Sequence, residues 1–105
     1  MSDFIRKGRF PTPVDRGAVA ADWRARGFTC DLFVDPPGRA WIDFVHSSNE
    51  LVTVAEGRLE ITVAGECVVA EPGDEIFIAN GRRHSVRNID SGTTRWLYGY
   101  DASGG

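Results

Sequence analysis

From Phe28 to Tyr100 the sequence alternates apolar and polar residues, and short turn signals break the alternation at nearly even intervals. A period of two buries one face of a strand, whereas a helix needs 3.6 residues per turn. In the first run Phe28, Cys30, Leu32 and Val34 alternate with Thr29, Asp31, Phe33 and Asp35 before the turn Asp35-Pro36-Pro37-Gly38. The same reading predicts strands over 40–46, 50–55, 58–63, 66–70, 75–79, 84–88 and 94–100. Between them fall Glu56-Gly57, Ala64-Gly65, Pro72-Gly73-Asp74, Asn80-Gly81 and Asp90-Ser91-Gly92, each with a residue tolerant of positive φ or a preset turn. Short strands at this spacing predict an all-β sandwich or closed barrel, and a jelly roll has the matching strand count.

Upstream, residues 18–26 permit one short helix, with Val19 and Trp23 at i and i+4 and Gly27 as a stop. Residues 1–14, with Pro11 and Pro13, read as an extended N-terminal arm, and residues 102–105 as a flexible tail. No repeat, linker or charge block divides the chain, so 1–105 is expected to be a single domain. A chain of 105 residues has room for one core of this kind.

Lys and Arg number 12 against 15 Asp and Glu, a formal net charge of −3. That balance lacks the electrostatic term behind most nucleic-acid and anionic-membrane affinity, so neither partner is expected. No apolar stretch approaches the roughly 20 residues that span a bilayer, and Met1 to Phe10 lacks a secretory apolar core. The chain reads as cytoplasmic, and Cys30 and Cys67 are expected to be free, buried thiols.

Histidine is scarce: the chain has only His46 and His84. If register is kept through Ser47-Ser48-Asn49, positions 44, 46, 50, 52 and 54 share a face, which sets His46 and Glu50 beside Val52 and Val54. A carboxylate on an apolar face needs a cation, a hydrogen-bond partner or a raised pKa. After the next turn His84, Val86 and Asn88 also share a face, so His84 can meet the first pair. Two imidazoles and one carboxylate are the donor set of the facial triad that suits Fe(II). The same residues also allow a metal-free arrangement, with both histidines hydrogen-bonded to Glu50.

Two spacings carry a family resemblance. The first is Gly38, five residues, Phe44-Val45-His46, three residues, Glu50, six residues, Gly57; the second is Gly73, five residues, Ala79-Asn80-Gly81, two residues, His84, three residues, Asn88. They resemble the two motifs of the cupin superfamily, and the chain is similar to its small single-domain members of the cupin-2 type. It departs at Phe44, where the family has the first of two histidines, and at Ala79, where it has proline. The resemblance implies a small jelly-roll β-barrel, the double-stranded β-helix of that family. It also implies that His46, Glu50 and His84 bind a divalent ion (Fe, Zn, Mn or Ni), with Phe44 removing one donor.

On that footing the expected function is a metal-dependent enzyme acting on a small molecule, by oxygenase, isomerase or lyase chemistry. The alternatives are a non-catalytic module that binds or senses a small ligand, and a metal-free acid/base isomerase using His46 or His84 with Glu50. Related small barrels are commonly dimers, and edge strands invite pairing, so a homodimer is expected. Arg82, Arg83 and Arg87 read as solvated surface rather than an anion site. Trp96, Tyr98 and Tyr100 share one face of the last strand and read as aromatic core rather than a stacking platform for ligand.

Overall fold

The computed structural model describes the backbone of residues 4–45 and 47–102, and their side chains apart from those of residues 42–44. The first long element is a helix, α1 (Arg16–Ala25). It starts two residues before the predicted Ala18 because Asp15 caps it: the carboxylate accepts from the Gly17 and Ala18 amides at 2.9 and 3.4 Å. Val19 and Trp23 are fully buried along its inner stripe, and Gly27 at φ +86° ends it. The Phe28 amide then donates to the Trp23 carbonyl at 2.9 Å. Residues 28–30 are thus used in turning back, and the strand predicted from Phe28 begins at Asp31.

Nine strands are present among the described residues: β1 (Ile5–Arg6), β2 (Asp31–Asp35), β3 (Ala40–Phe44), β4 (Glu50–Glu56), β5 (Leu59–Val63), β6 (Glu66–Ala70), β7 (Glu75–Ile78), β8 (His84–Asn88) and β9 (Thr94–Tyr100). One sheet has the order β1-β7-β4-β9-β2 and the other β3-β8-β5-β6, with every pairing antiparallel. The strand missed in the sequence is β1, inside the predicted arm. Ile5 and Arg6 pair with Ile76 and Glu75, and the Asp74 carboxylate holds the next turn through the Gly8 amide at 2.8 Å and the Lys7 ammonium. A two-residue strand is too short to show a period of two.

The two sheets face each other over a core that includes Val52, Val54, Ile61, Ile76 and Val86. On the outer face of the five-stranded sheet, α1 packs Val19 and Trp23 against Leu51 and Leu97. The central strand β4 is therefore buried on both faces, a pattern a strict alternation does not reveal. A β-carbon on Gly99 of β9 would lie 1.8 Å from the Thr29 carbonyl oxygen, so only glycine lets the returning chain cross there.

The expected all-β jelly-roll architecture is present as two facing antiparallel sheets, and among the described residues no ladder joins one sheet to the other. Edge strands β2 and β3 are linked by a turn through Pro36 and Pro37, which have no amide hydrogen to extend a ladder. Phe33 on β2 and Trp41 on β3 meet edge-to-face at 5.4 Å. Asn88 fixes this corner: its side-chain amide donates to the carbonyls of Asp35, Pro36 and Gly92 at 2.9–3.1 Å and its oxygen accepts from Asp90 and Thr94. Cys30 and Cys67 are free, as expected, but neither is buried: Cys30 is half-buried, and Cys67 is exposed because its β6 position faces away from the core. No helix among the described residues is long and apolar enough to cross a membrane.

Candidate ligand site between the sheets

Glu50 opens β4 and His84 opens β8, so the two residues come from opposite sheets. Their register explains the meeting. Glu50 lies between Ile78 of β7 and Tyr100 of β9, and His84 lies beside Val63 of β5 and opposite Phe44 of β3. The corner before Glu50 is held by Asn49, whose amide groups donate to the Asp101 carboxylate at 2.9 and 3.1 Å and whose side-chain oxygen accepts from the Asn80 amide at 2.8 Å.

His84 Nε2 lies 3.5 Å from Glu50 Oε1, with side-chain exposures of 3% and 5%. Both groups are thus removed from bulk water. His84 Nδ1 is 3.2 Å from the Arg82 carbonyl oxygen. A carbonyl only accepts, so Nδ1 carries the hydrogen, and in the neutral ring the lone pair sits on Nε2 and faces Glu50. Burial pushes the Glu50 carboxyl up from 4.5 to about 7. Tyr100 is pushed up to about 12, first by burial and then by the Glu50 and Tyr98 charges, so its hydroxyl stays protonated at neutral pH.

These groups lie at one end of a cavity of about 220 Å³ whose other lining is Phe33, Trp41, Val86, Trp96 and Tyr98. Tyr100, Tyr98 and Trp96 succeed one another along β9 with ring centroids 6.0 and 5.6 Å apart. Phe33 continues the row at 5.6 Å from Trp96 and reaches Trp41 across the gap between the sheets. The aromatic residues expected to be core are therefore core and cavity wall together: Trp96 is buried, yet it lines the slot. Asp35, fully buried and not itself part of the cavity lining, accepts from Trp96 Nε1 at 2.8 Å and from Trp41 Nε1 at 3.4 Å. In the sequence Asp35 looks like an ordinary turn residue before Pro36. Arg82, Arg83 and Arg87 are exposed, in line with a solvated surface.

Of the three metal ligands implied by resemblance, Glu50 and His84 are brought together, and His46 lies outside the described residues. Two donors each about 2.1 Å from one ion at a tetrahedral angle are about 3.4 Å apart. The 3.5 Å between Nε2 and Oε1 therefore fits neighbouring positions on a divalent ion, and the proton on Nδ1 leaves Nε2 as the ligating atom. Among the described residues no group of three potential ligands is assembled.

A family model for the Cupin domain matches residues 31–100, which run from the start of β2 to the end of β9. The chain belongs to the cupin family. Solved structures agree with that assignment. The protein TT1209 from Thermus thermophilus is 26% identical and superposes with a TM-score of 0.64 over 70% of this cupin and 72% of that chain. A cupin 2 domain-containing protein from Halorhodospira halophila is 22% identical, with a TM-score of 0.67 over 78% of this chain and 57% of its own. An RmlC-like cupin from Shewanella frigidimarina is 16% identical, with a TM-score of 0.64 over 70% and 65%. The last two likenesses concern the fold alone. No curated protein matches the chain.

Proposed function

We propose that this cupin binds a small molecule in the slot between its sheets and that Glu50 and His84 hold and move one proton at the ligand's polar end. The observation that carries this reading is a buried carboxyl that faces, at 3.5 Å, an imidazole nitrogen left unprotonated by its partner's hydrogen bond, and burial pushes that carboxyl up to about 7. Near neutral pH that carboxyl is divided between its acid and its carboxylate, the condition in which proton transfer in either direction is cheapest. The aromatic row supplies apolar contact that orients a ligand and excludes water, and the Tyr100 hydroxyl adds a neutral donor.

A second reading is favoured by the spacing of the two donors: His46, Glu50 and His84 hold a divalent ion, Fe, Zn, Mn or Ni. Such an ion would supply Lewis-acid or dioxygen chemistry. In that case His84 keeps its Nδ1 proton on the Arg82 carbonyl and offers Nε2, and Glu50 offers its carboxylate.

Thermal melting against a panel of small organic molecules, run on chelated protein and on protein reloaded with each metal, separates these readings. We expect saturable stabilisation by a subset of the panel, about 2.7 kcal/mol at one hundred times Kd, weakened in Trp41→Ala. Stabilisation that survives chelation supports the proton-pair reading, whereas stabilisation only after reloading moves the assignment to the metal. No stabilisation in either state contradicts both.

A further inference from the structure

We propose that the ligand of the slot is a small organic cation, an alkylated ammonium, received by the row of aromatic rings and by the Glu50 carboxylate. This rests on the slot being the ligand site and on the ionised form of Glu50, which a bound cation favours, and names the chemistry the slot selects. Among the described residues the lining holds five aromatic side chains, one carboxylate and one imidazole, and neither lysine nor arginine. Aromatic faces carry the negative lobe of the ring quadrupole and attract cations that have shed water. A lining of aromatic rings that ends in a carboxylate is complementary to a positive ligand and repels a negative one.

Two further observations point the same way. Asp35 accepts hydrogen bonds from both indole N–H groups of the wall, at 2.8 Å from Trp96 and 3.4 Å from Trp41. An indole that donates to a buried carboxylate is polarised so that its ring becomes richer in electrons, which strengthens its hold on a cation. These rings also hold a cation already. The Arg39 guanidinium carbon stands 4.4 Å from the Trp41 ring centroid and 5.5 Å from that of Phe33, one ring from each sheet, with its Nε 3.7 Å from Asp35. Arg39 is not itself part of the cavity lining, which is left to the aromatic rings, Val86, Glu50 and His84.

The test uses three probes of nearly one shape: choline, its uncharged carbon isostere 3,3-dimethyl-1-butanol, and the anionic 3,3-dimethylbutyrate. Binding is followed in the whole chain by tryptophan fluorescence, since Trp41 and Trp96 line the slot. Choline is expected to bind at least about tenfold more tightly than the neutral isostere, with the anion weakest. Glu50→Gln should narrow that preference, and Trp41→Leu should weaken choline more than the isostere. Equal binding of choline and the isostere, or a preference for the anion, would overturn the cation assignment while leaving the slot as a ligand site. If no probe of any charge changes the fluorescence or the melting temperature, the slot reading falls as well.

Discussion

Trp23→Ala is expected to lower stability by about 3–5 kcal/mol, the usual cost of removing a fully buried aromatic side chain. Trp23 is the largest side chain of the cluster that fastens α1 to the outer face of the five-stranded sheet, with Val19, Leu51 and Leu97 as neighbours. Its indole N–H donates at 3.0 Å to Glu75, a buried carboxylate that also accepts from the two terminal guanidinium nitrogens of Arg26 at 2.9 and 3.1 Å. Truncation therefore removes packing and one donor from a buried charge together. At roughly 4–8 °C per kcal/mol for a domain of about this size, the melting temperature should fall by more than ~12 °C. Trp23→Phe keeps most of the volume and should cost clearly less. A fall of under about 1 kcal/mol for the alanine variant would show that α1 melts apart from the sheets.

Glu50→Gln should have the opposite sign, and only at high pH. The folded-state value of about 7 stands above the 4.5 of the unfolded chain. Between those values the unfolded chain has released a proton that the folded chain retains, so stability falls as pH rises through this window. Above pH 7 the whole penalty is present, about 3 kcal/mol at 1.36 kcal/mol per unit. Glutamine presents a neutral group at every pH. In chelated protein the variant should therefore be about 3 kcal/mol more stable than wild type at pH 8 and nearly equal to it at pH 4. A stability difference that does not change between the two pH values would mean that Glu50 ionises as an exposed carboxyl does.

Much of this fold was legible where a strand's period marks its buried face, as in β5, but β2 inverts the expected face: Leu32 and Val34 are exposed, whereas Asp35 is buried and Phe33 half-buried among the cavity rings. Leu59, Ile61 and Val63 of β5 alternate with Glu60 and Thr62 in the sequence, and all three are buried. Where backbone geometry rather than burial decides, the alternation is silent. The return of the chain after α1 consumes residues 28–30, and β1 is held by a partner strand and the Asp74 carboxylate instead of by a pattern of its own. The site was legible in its fixed offsets: Glu50 and His84 open strands that face each other, so spacing along the chain becomes proximity across the sandwich. Asp35 and Arg39 were not, since their roles depend on which rings surround them after folding.

The most direct test of a proton shared at the inner end of the slot is a carbon-13 NMR titration of the Glu50 side-chain carboxyl in chelated protein, with Glu50→Gln used to assign the signal. A midpoint near 7, with a matching change at the His84 ring, is the expected result. A midpoint near 4.5 would contradict it, since a carboxyl that titrates normally could not hold a proton against His84 at neutral pH.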